Sequence, residues 1–238
     1  MPSRPRCGVA APATKLLLVR LLFVNPNTTA TMTAAIAQAA RLAAHPDTEI
    51  RAVNPLDGPA SIESEDDERR CVPGLLTEIA AAAAGPDDQR PHAYVIACFG
   101  DPGLVAARGA VRAPVLGIAQ AAMHSAALLA GGFSVVTSMS ATVPRAWELA
   151  DDYTAGSCLG VHACDIPVLQ IDSDPGSFLP IAQLCEYALS TDRSGAVVLG
   201  CAAMARFAHP LRQRLGVPVI DGVEAATRLA QALVPLAA

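Results

Sequence analysis

The sequence predicts an α/β protein of two similar lobes, each a roughly four-stranded parallel sheet flanked by helices, related by pseudo-twofold symmetry. The first sign is rhythm. Short apolar, β-branched runs alternate with helix-compatible stretches over short connections, the pattern of parallel sheets covered on both faces. The second sign is self-similarity at a long period. Tyr94-Val95-Ile96-Ala97-Cys98 has a counterpart in Ala196-Val197-Val198-Leu199-Gly200-Cys201. Sixteen residues past Cys98 stands Pro114-Val115-Leu116, and seventeen past Cys201 stands Pro218-Val219-Ile220. Six residues beyond those prolines the two copies read Gln120-Ala121-Ala122 and Glu224-Ala225-Ala226. The third sign is bulk: of 238 residues 52% are apolar and 16% charged, enough core material for two lobes of roughly 100 residues each.

Taken in order, residues 1–14 carry arginines and prolines and are expected to form a disordered leader. Leu16–Val24 is apolar but short, is interrupted by Arg20, and runs into Asn25-Pro26-Asn27. It therefore reads as the first strand, not as a secretory signal or a membrane span. Asn25-Pro26-Asn27-Thr28-Thr29 joins turn formers to helix-capping residues, and the alanine-rich Thr31–Ala44 follows as a helix that His45-Pro46 stops. Glu49–Val53 is a strand, and residues 54–62 form a polar loop. Asp66–Ala84 is a helix with a kink or break expected at Pro73-Gly74; the charge run Glu63–Arg70 at its start reads as a solvated face. Ala93–Ala97 is the strand leading to Cys98, Gly103–Val111 a helix, and Val115–Ile118 the fourth strand. The second half repeats the rhythm: helix Ala121–Ala130, turn Gly131-Gly132, strand Phe133–Val136. Thr137-Ser138-Met139-Ser140-Ala141-Thr142 then takes the place of residues 25–31, and a helix begins over Val143–Ala150, with Pro144 acceptable in a first turn. Strand Val168–Ile171, helix Phe178–Ser190, strand Ala196–Leu199, helix Met204–Leu215, strand Val219–Asp221 and helix Val223–Val234 complete the chain.

Composition removes several classes of function. A net charge of −5 with no basic cluster argues against nucleic acid as a partner. Seven cysteines, an odd number without a secretory signal, imply reduced thiols in the cytoplasm and no disulfide framework. Neither a CxxC pair nor an HxxxH arrangement is present, so no metal site is expected.

In parallel α/β sheets ligands sit beyond the carboxyl ends of the strands. Here those ends are Asn25–Thr28, Gly58–Ile62, Cys98–Gly100, Thr137-Ser138 and Cys201–Ala203, which are small, polar or cysteine. Two related halves about a twofold axis bring Cys98 and Cys201 face to face across a cleft. A helix N-terminus behind each thiol would lower its pKa. One thiolate can then remove a proton from a substrate carbon while the other thiol protonates the opposite face, giving the mirror image. No metal or organic cofactor is required when a neighbouring carbonyl delocalises the carbanion, and backbone N–H groups and Thr or Ser hydroxyls can stabilise the enolate oxygen. Such a pair titrates as a unit and gives a bell-shaped rate profile. A lone strand-end cysteine is most often a small buried hydrophobe; two at equivalent points of a duplication shift the weight toward chemistry. Cys7 lies in the leader, and Cys71, Cys158, Cys164 and Cys185 have no counterpart in the other half, so they are assigned to structure. The five histidines are scattered.

The motifs Val24-Asn25-Pro26-Asn27-Thr28-Thr29, Gly58-Pro59-Ala60-Ser61-Ile62-Glu63, Ala97-Cys98-Phe99-Gly100-Asp101-Pro102-Gly103, Val136-Thr137-Ser138 and Leu199-Gly200-Cys201-Ala202-Ala203-Met204 resemble the aspartate/glutamate/hydantoin racemase superfamily. The likeness runs from about Leu18 onward and is greatest to its hydantoin racemase and allantoin racemase branch. It implies cofactor-independent racemisation at C5 of a hydantoin ring, with Cys98 and Cys201 as the two acid–base groups. Asn25, Ser61, Ile62, Phe99, Gly100, Thr137, Ser138, Ala202 and Ala203 would bind the substrate, supported by Thr28, Asp101 and Gln120. Ile62, Phe99 and Tyr153 are candidates for reading the 5-substituent. The resemblance also implies a small-molecule substrate, a homo-oligomer, and a C-terminal helix returning to the first lobe. The lobes would then be residues 15–119 plus 222–238, and residues 120–221. Gln120 and Ala203 depart from the family pattern, which usually has Glu and Gly there. Within the superfamily, allantoin is the rival substrate, and maleate isomerase, arylmalonate decarboxylase and amino-acid racemase are the rival activities. The second cysteine speaks against the decarboxylase, and the Cys98–Gly103 motif against the maleate isomerase.

Overall fold

The computed structural model describes residues 18–237, so the expected leader and Cys7 lie outside the described residues. The first half runs β1 (Val19–Val24), α1 (Ala30–Ala43), β2 (Thr48–Val53), α2 (Glu65–Ala83), β3 (Ala93–Ile96), α3 (Leu104–Ala110) and β4 (Val115–Gly117). The second half runs α4 (Ile118–Ala130), β5 (Phe133–Thr137), α5 (Val143–Thr154), β6 (Cys158–Ala163), α6 (Val168–Ser173), α7 (Phe178–Asp192), β7 (Ala196–Gly200), α8 (Ala208–Leu215), β8 (Val219–Asp221) and α9 (Gly222–Leu233). Two four-stranded sheets result, in the orders β2-β1-β3-β4 and β6-β5-β7-β8, and every pairing is parallel. The shared strand order is what a duplication requires. It places β3 and β7, the strands before the two singled-out cysteines, at the same position in their sheets.

The strands are apolar throughout because both faces of each sheet are covered. Leu22, Val24, Tyr94 and Ile96 face Leu75 and Ile79 of α2 and Leu104 of α3. On the other face Leu21, Phe23 and Val95 share a core with Ile36 of α1 and with Val223 and Ala226 of α9. That core continues to the second sheet through Met123 and Ala126 of α4 and reaches Phe133, Val135 and Val198. The far face of the second sheet, with Val136, Val197 and Leu199, packs on Ile181 and Cys185 of α7 and Leu211 of α8. The equivalent helices α4 and α9 thus meet inside the common core. They touch one another, α9 also packing on α1 and β3 and α4 on β7 and α5. The crossing is close: a Cβ on Gly222 would stand 2.7 Å from the Ile118 carbonyl oxygen.

Three expectations are corrected. Val168–Ile171 is not a strand: it opens α6, and the edge strand is β6, over Cys158–Ala163. Val168 and Ile171 lie one helical turn apart and are the residues α6 buries, a spacing that suits a helix as well as a short strand. β6 carries Gly160 and His162 and is only partly buried, so it lacks the apolar signature of an inner strand. Secondly, of the kink or break expected at Pro73-Gly74 the break is absent, since α2 continues through Pro73. Pro73 is on the exposed side, where water can take the carbonyl its ring leaves unpaired. Thirdly, residues 202–207 form a 3-10 turn, and α8 begins only at Ala208. No described helix is long and apolar enough to cross a membrane.

Candidate active site

Cys98 lies just past β3 and Cys201 directly follows β7, and both line one cavity of about 50 Å3. Its walls come from the carboxyl ends of six strands: Asn27 after β1, Ile62 after β2, Cys98 after β3, Thr137 at the end of β5, Val168 after β6 and Cys201 after β7. Of the other residues expected at the site, Phe99, Gly100 and Ala202 are also on the wall. Ser138 and Ala203 stand behind it, the Ser138 side chain and the Ala203 N–H both directed at Cys201.

Asn25, Thr28, Ser61, Gln120 and Tyr153, all expected at the site, are off the cavity wall. Asn25 is 1% exposed and spends its amide inside the turn, donating to Asn27 Oδ1 (2.9 Å) and Thr33 Oγ1 (3.0 Å). Thr28 donates its N–H to the Pro59 carbonyl, and Ser61 is not on the cavity wall. Gln120 faces away: Oε1 accepts from Arg108 Nη2 at 2.6 Å, on a separate surface groove. The duplication explains its place, because Arg212 makes the same pair of contacts in the second half, to the Val219 carbonyl and to Glu224, as Arg108 makes to Val115 and Gln120. Tyr153 does not reach the cavity wall, because its hydroxyl donates to Asp101 Oδ2 (3.1 Å).

Asp101 braces the first cysteine loop from below. It is 2% exposed, and its φ of 47° falls in the left-handed region that Asp tolerates better than most residues. Its carboxylate accepts the Ala119 and Gln120 N–H groups (3.1 and 2.9 Å), capping α4. Burial still pushes its pKa up to about 7. In the second half Asp221 caps its own helix, accepting the Glu224 N–H at 2.8 Å. The first half has Gly117 at that place, and the Asp101 carboxyl fills the space its side chain would occupy: a Cβ there would fall 2.1 Å from Asp101 Cγ.

Both thiols are held neutral. Burial pushes Cys201 up to about 12 and Cys98 well above the ordinary thiol value, with Glu68 adding to the rise. Helix N-termini do not lower them as expected, since α3 starts only at Leu104 and the 3-10 turn after Cys201 delays α8. What favours the thiolates instead is a backbone N–H two residues on, Gly100 for Cys98 and Ala203 for Cys201, with the Ser138 hydroxyl adding to it at Cys201.

Asn27, which the strand-end reading included without a role, is on the wall, and so are Glu68 and Arg145, which that reading missed. Asn27 holds its turn through Oδ1, which accepts the Thr29 N–H at 2.9 Å, while among the described residues Nδ2 has only the weak Met32 Sδ acceptor (3.4 Å). Glu68 sits at the start of α2, which Ser64 caps by accepting the Asp67 N–H (3.2 Å). It lies one turn before Cys71, Leu75 and Ile79, the buried stripe of that helix. That spacing was the available signal, hidden inside a charge run. Burial raises the Glu68 pKa to about 7 in spite of Arg145, which lowers it. Arg145, on α5, reaches across the halves: Nε and Nη2 donate to the Gly100 carbonyl (3.3 and 3.2 Å), and Nε lies 3.6 Å from Glu68 Oε2. Two further ties cross the same seam, from the Val168 N–H to Glu63 Oε1 (2.9 Å) and from Thr31 Oγ1 to Asp172 Oδ2 (3.0 Å). Among the described residues no cluster of His, Cys, Asp or Glu is placed to hold a metal ion.

Comparison with known proteins places this arrangement. The family described as Asp/Glu/Hydantoin racemase matches residues 21–230. The hydantoin racemase of Rhizobium meliloti is 45% identical over 214 residues, covering 89% of this chain and 87% of the relative. The hydantoin racemase of Pseudomonas sp. (strain NS671) is 41% identical over 220 residues, covering 92% and 87%. Among solved structures, the allantoin racemase from Klebsiella pneumoniae superposes with a TM-score of 0.87 at 45% identity, over 92% of this chain and 88% of that one.

Proposed function

The chain belongs to the Asp/Glu/hydantoin racemase family and is a racemase, and from that premise we propose that it inverts C5 of 5-substituted hydantoins by proton transfer between Cys98 and Cys201. The observation that carries this reading is that equivalent strands of a duplicated fold deliver the two thiols to one cavity. C5–H of a hydantoin lies next to the C4 carbonyl. One cysteine, as thiolate, takes that proton: an S–H bond forms, the C5–H bond breaks, and its electron pair moves into the C4–oxygen enolate. The other thiol then gives its proton to the opposite face of C5, the enolate collapses, and that sulfur is left as the thiolate. The reverse reaction uses the same two groups in exchanged roles.

The wall supports these steps. The thiolate must form against burial, and the Gly100 and Ala203 N–H groups are aimed where its charge develops. Asn27 Nδ2 is the side-chain donor best placed to be spared for an enolate oxygen, since among the described residues its one acceptor is a thioether. The Thr137 hydroxyl, a donor candidate by sequence, is engaged with the Gly200 carbonyl at 3.1 Å.

The test is to incubate single enantiomers of several 5-substituted hydantoins, and of allantoin, with the protein in D2O. Optical rotation follows inversion and proton NMR follows C5 exchange. Rotation should vanish as deuterium enters C5. Inversion should stop in Cys98→Ala and in Cys201→Ala, each exchanging deuterium into one enantiomer at most. Inversion no faster than in buffer would overturn the reading.

A further inference from the structure

The cavity has a wall that the two-thiol chemistry does not use. Glu68 brings a carboxylate whose side chain is 16% exposed. Among the described residues no protein donor comes within hydrogen-bond distance of it; Arg145 Nε, at 3.6 Å, is its nearest cation. A carboxylate has room for about four hydrogen bonds, and leaving buried acceptors unfilled is costly. It lies against the Cys98 loop, and a Cβ on Gly100 would fall 2.1 Å from Glu68 Oε1. Beside it Arg145 directs Nε and Nη2 to the Gly100 carbonyl and Nη1 to Glu148 (3.1 Å). That leaves about two of the five guanidinium N–H groups free. One flank of an otherwise mainly apolar pocket, with Met32, Ile62, Phe99 and Ala146, therefore offers a vacant carboxylate and spare guanidinium donors.

We propose that Glu68, supported by Arg145, is the specificity-determining residue of this site, and that it selects 5-substituents carrying urea-type N–H donors over alkyl or aryl ones. The inference rests on the hydantoin reading above. A ureido group presents parallel N–H bonds that a carboxylate accepts as a pair, while its carbonyl accepts from the guanidinium. An alkyl substituent of the same size fills the space but strips water from Glu68 and returns nothing. A site built to hydrogen-bond a substrate group rejects the analogue lacking it far more strongly than an apolar pocket discriminates by size. On this argument 5-ureidohydantoin, which is allantoin, is a better substrate than 5-isobutylhydantoin.

The experiment measures kcat and KM for both compounds by polarimetry in the unaltered protein, Glu68→Leu and Glu68→Gln. Glu68→Leu should lower kcat/KM for 5-ureidohydantoin by about tenfold to a hundredfold, the range for hydrogen bonds to a charged group, chiefly through KM. Its kcat/KM for 5-isobutylhydantoin should fall far less or rise, and a urea midpoint measured separately reports that the variant is folded. Glu68→Gln, which keeps one acceptor oxygen, should fall between. Equal losses on both compounds would overturn the proposal, because Glu68 would then serve the ring or the loop, not the substituent. Unchanged kinetics on both would overturn it too. If the unaltered protein inverts neither compound, it is the hydantoin reading that fails.

Discussion

Cys98 and Cys201 share a cavity, yet burial holds both as neutral thiols in the ligand-free protein. Because a thiolate is the reactive form, alkylation of either by iodoacetamide, followed by peptide mass mapping, should be slow at pH 7. It should accelerate steadily toward pH 10. Rapid labelling of either at pH 7 would mean that the N–H groups of Gly100 and Ala203 outweigh desolvation. At this scale the sequence made the two cysteines legible because the duplication marks them twice, and Ile62, Phe99, Gly100, Thr137 and Ala202 followed as strand-end neighbours. Glu68 was illegible for a physical reason: a carboxylate in a helix's first turn is ordinarily solvated and favoured by the dipole, and only its register with Cys71, Leu75 and Ile79 betrays that it points inward. Arg145 was illegible because its partners, Gly100 and Glu68, belong to the other half of the chain.

Among the elements, α4 and α9 approach closely at Gly222, against the Ile118 carbonyl. Adding a methyl there meets backbone, which cannot swing aside as a side-chain tip would. Gly222→Ala should therefore force the helices apart and cost about 1–3 kcal/mol, the usual penalty for overpacking, read as a lowered urea midpoint. Gly109→Ala, in α3 with open space around it, is the control and should be neutral or slightly stabilising. A Gly222→Ala midpoint equal to the control's would show that the helices slide at no cost. Most elements were readable from period and punctuation. The exchange of β6 for α6 was not, because an edge strand buried on little of its length has no strong alternation, and a helix of six residues has too few turns to display its period.

Across the whole molecule, three carboxyl groups are held above their ordinary values by burial: Asp101 and Glu68 at about 7, and Asp221 at about 6. The folded protein thus binds more protons than the unfolded chain between roughly pH 4 and 7, and stability falls as pH rises through that window. His92, held below its ordinary value by burial, opposes this, and Glu224 and Asp165, also held below theirs by hydrogen bonds, oppose it only at the acidic edge of the window. Urea midpoints should accordingly be higher at pH 5 than at pH 8, by on the order of a few kcal/mol in unfolding free energy. A midpoint that rises from pH 5 to pH 8 would contradict carboxyls held above their ordinary values by burial. The twin sheets were legible because each copy corroborates the other, whereas the central placement of α4 and α9 depends on packing between halves, which no local period encodes. That placement bears on how the protein is made. Phe23, Val95 and Ile36 share their core with Val223 and Ala226, so the first half cannot seal its inner face until nearly the whole chain has left the ribosome. A message truncated before Gly222 would release a product with that face open, a client for chaperones and proteases.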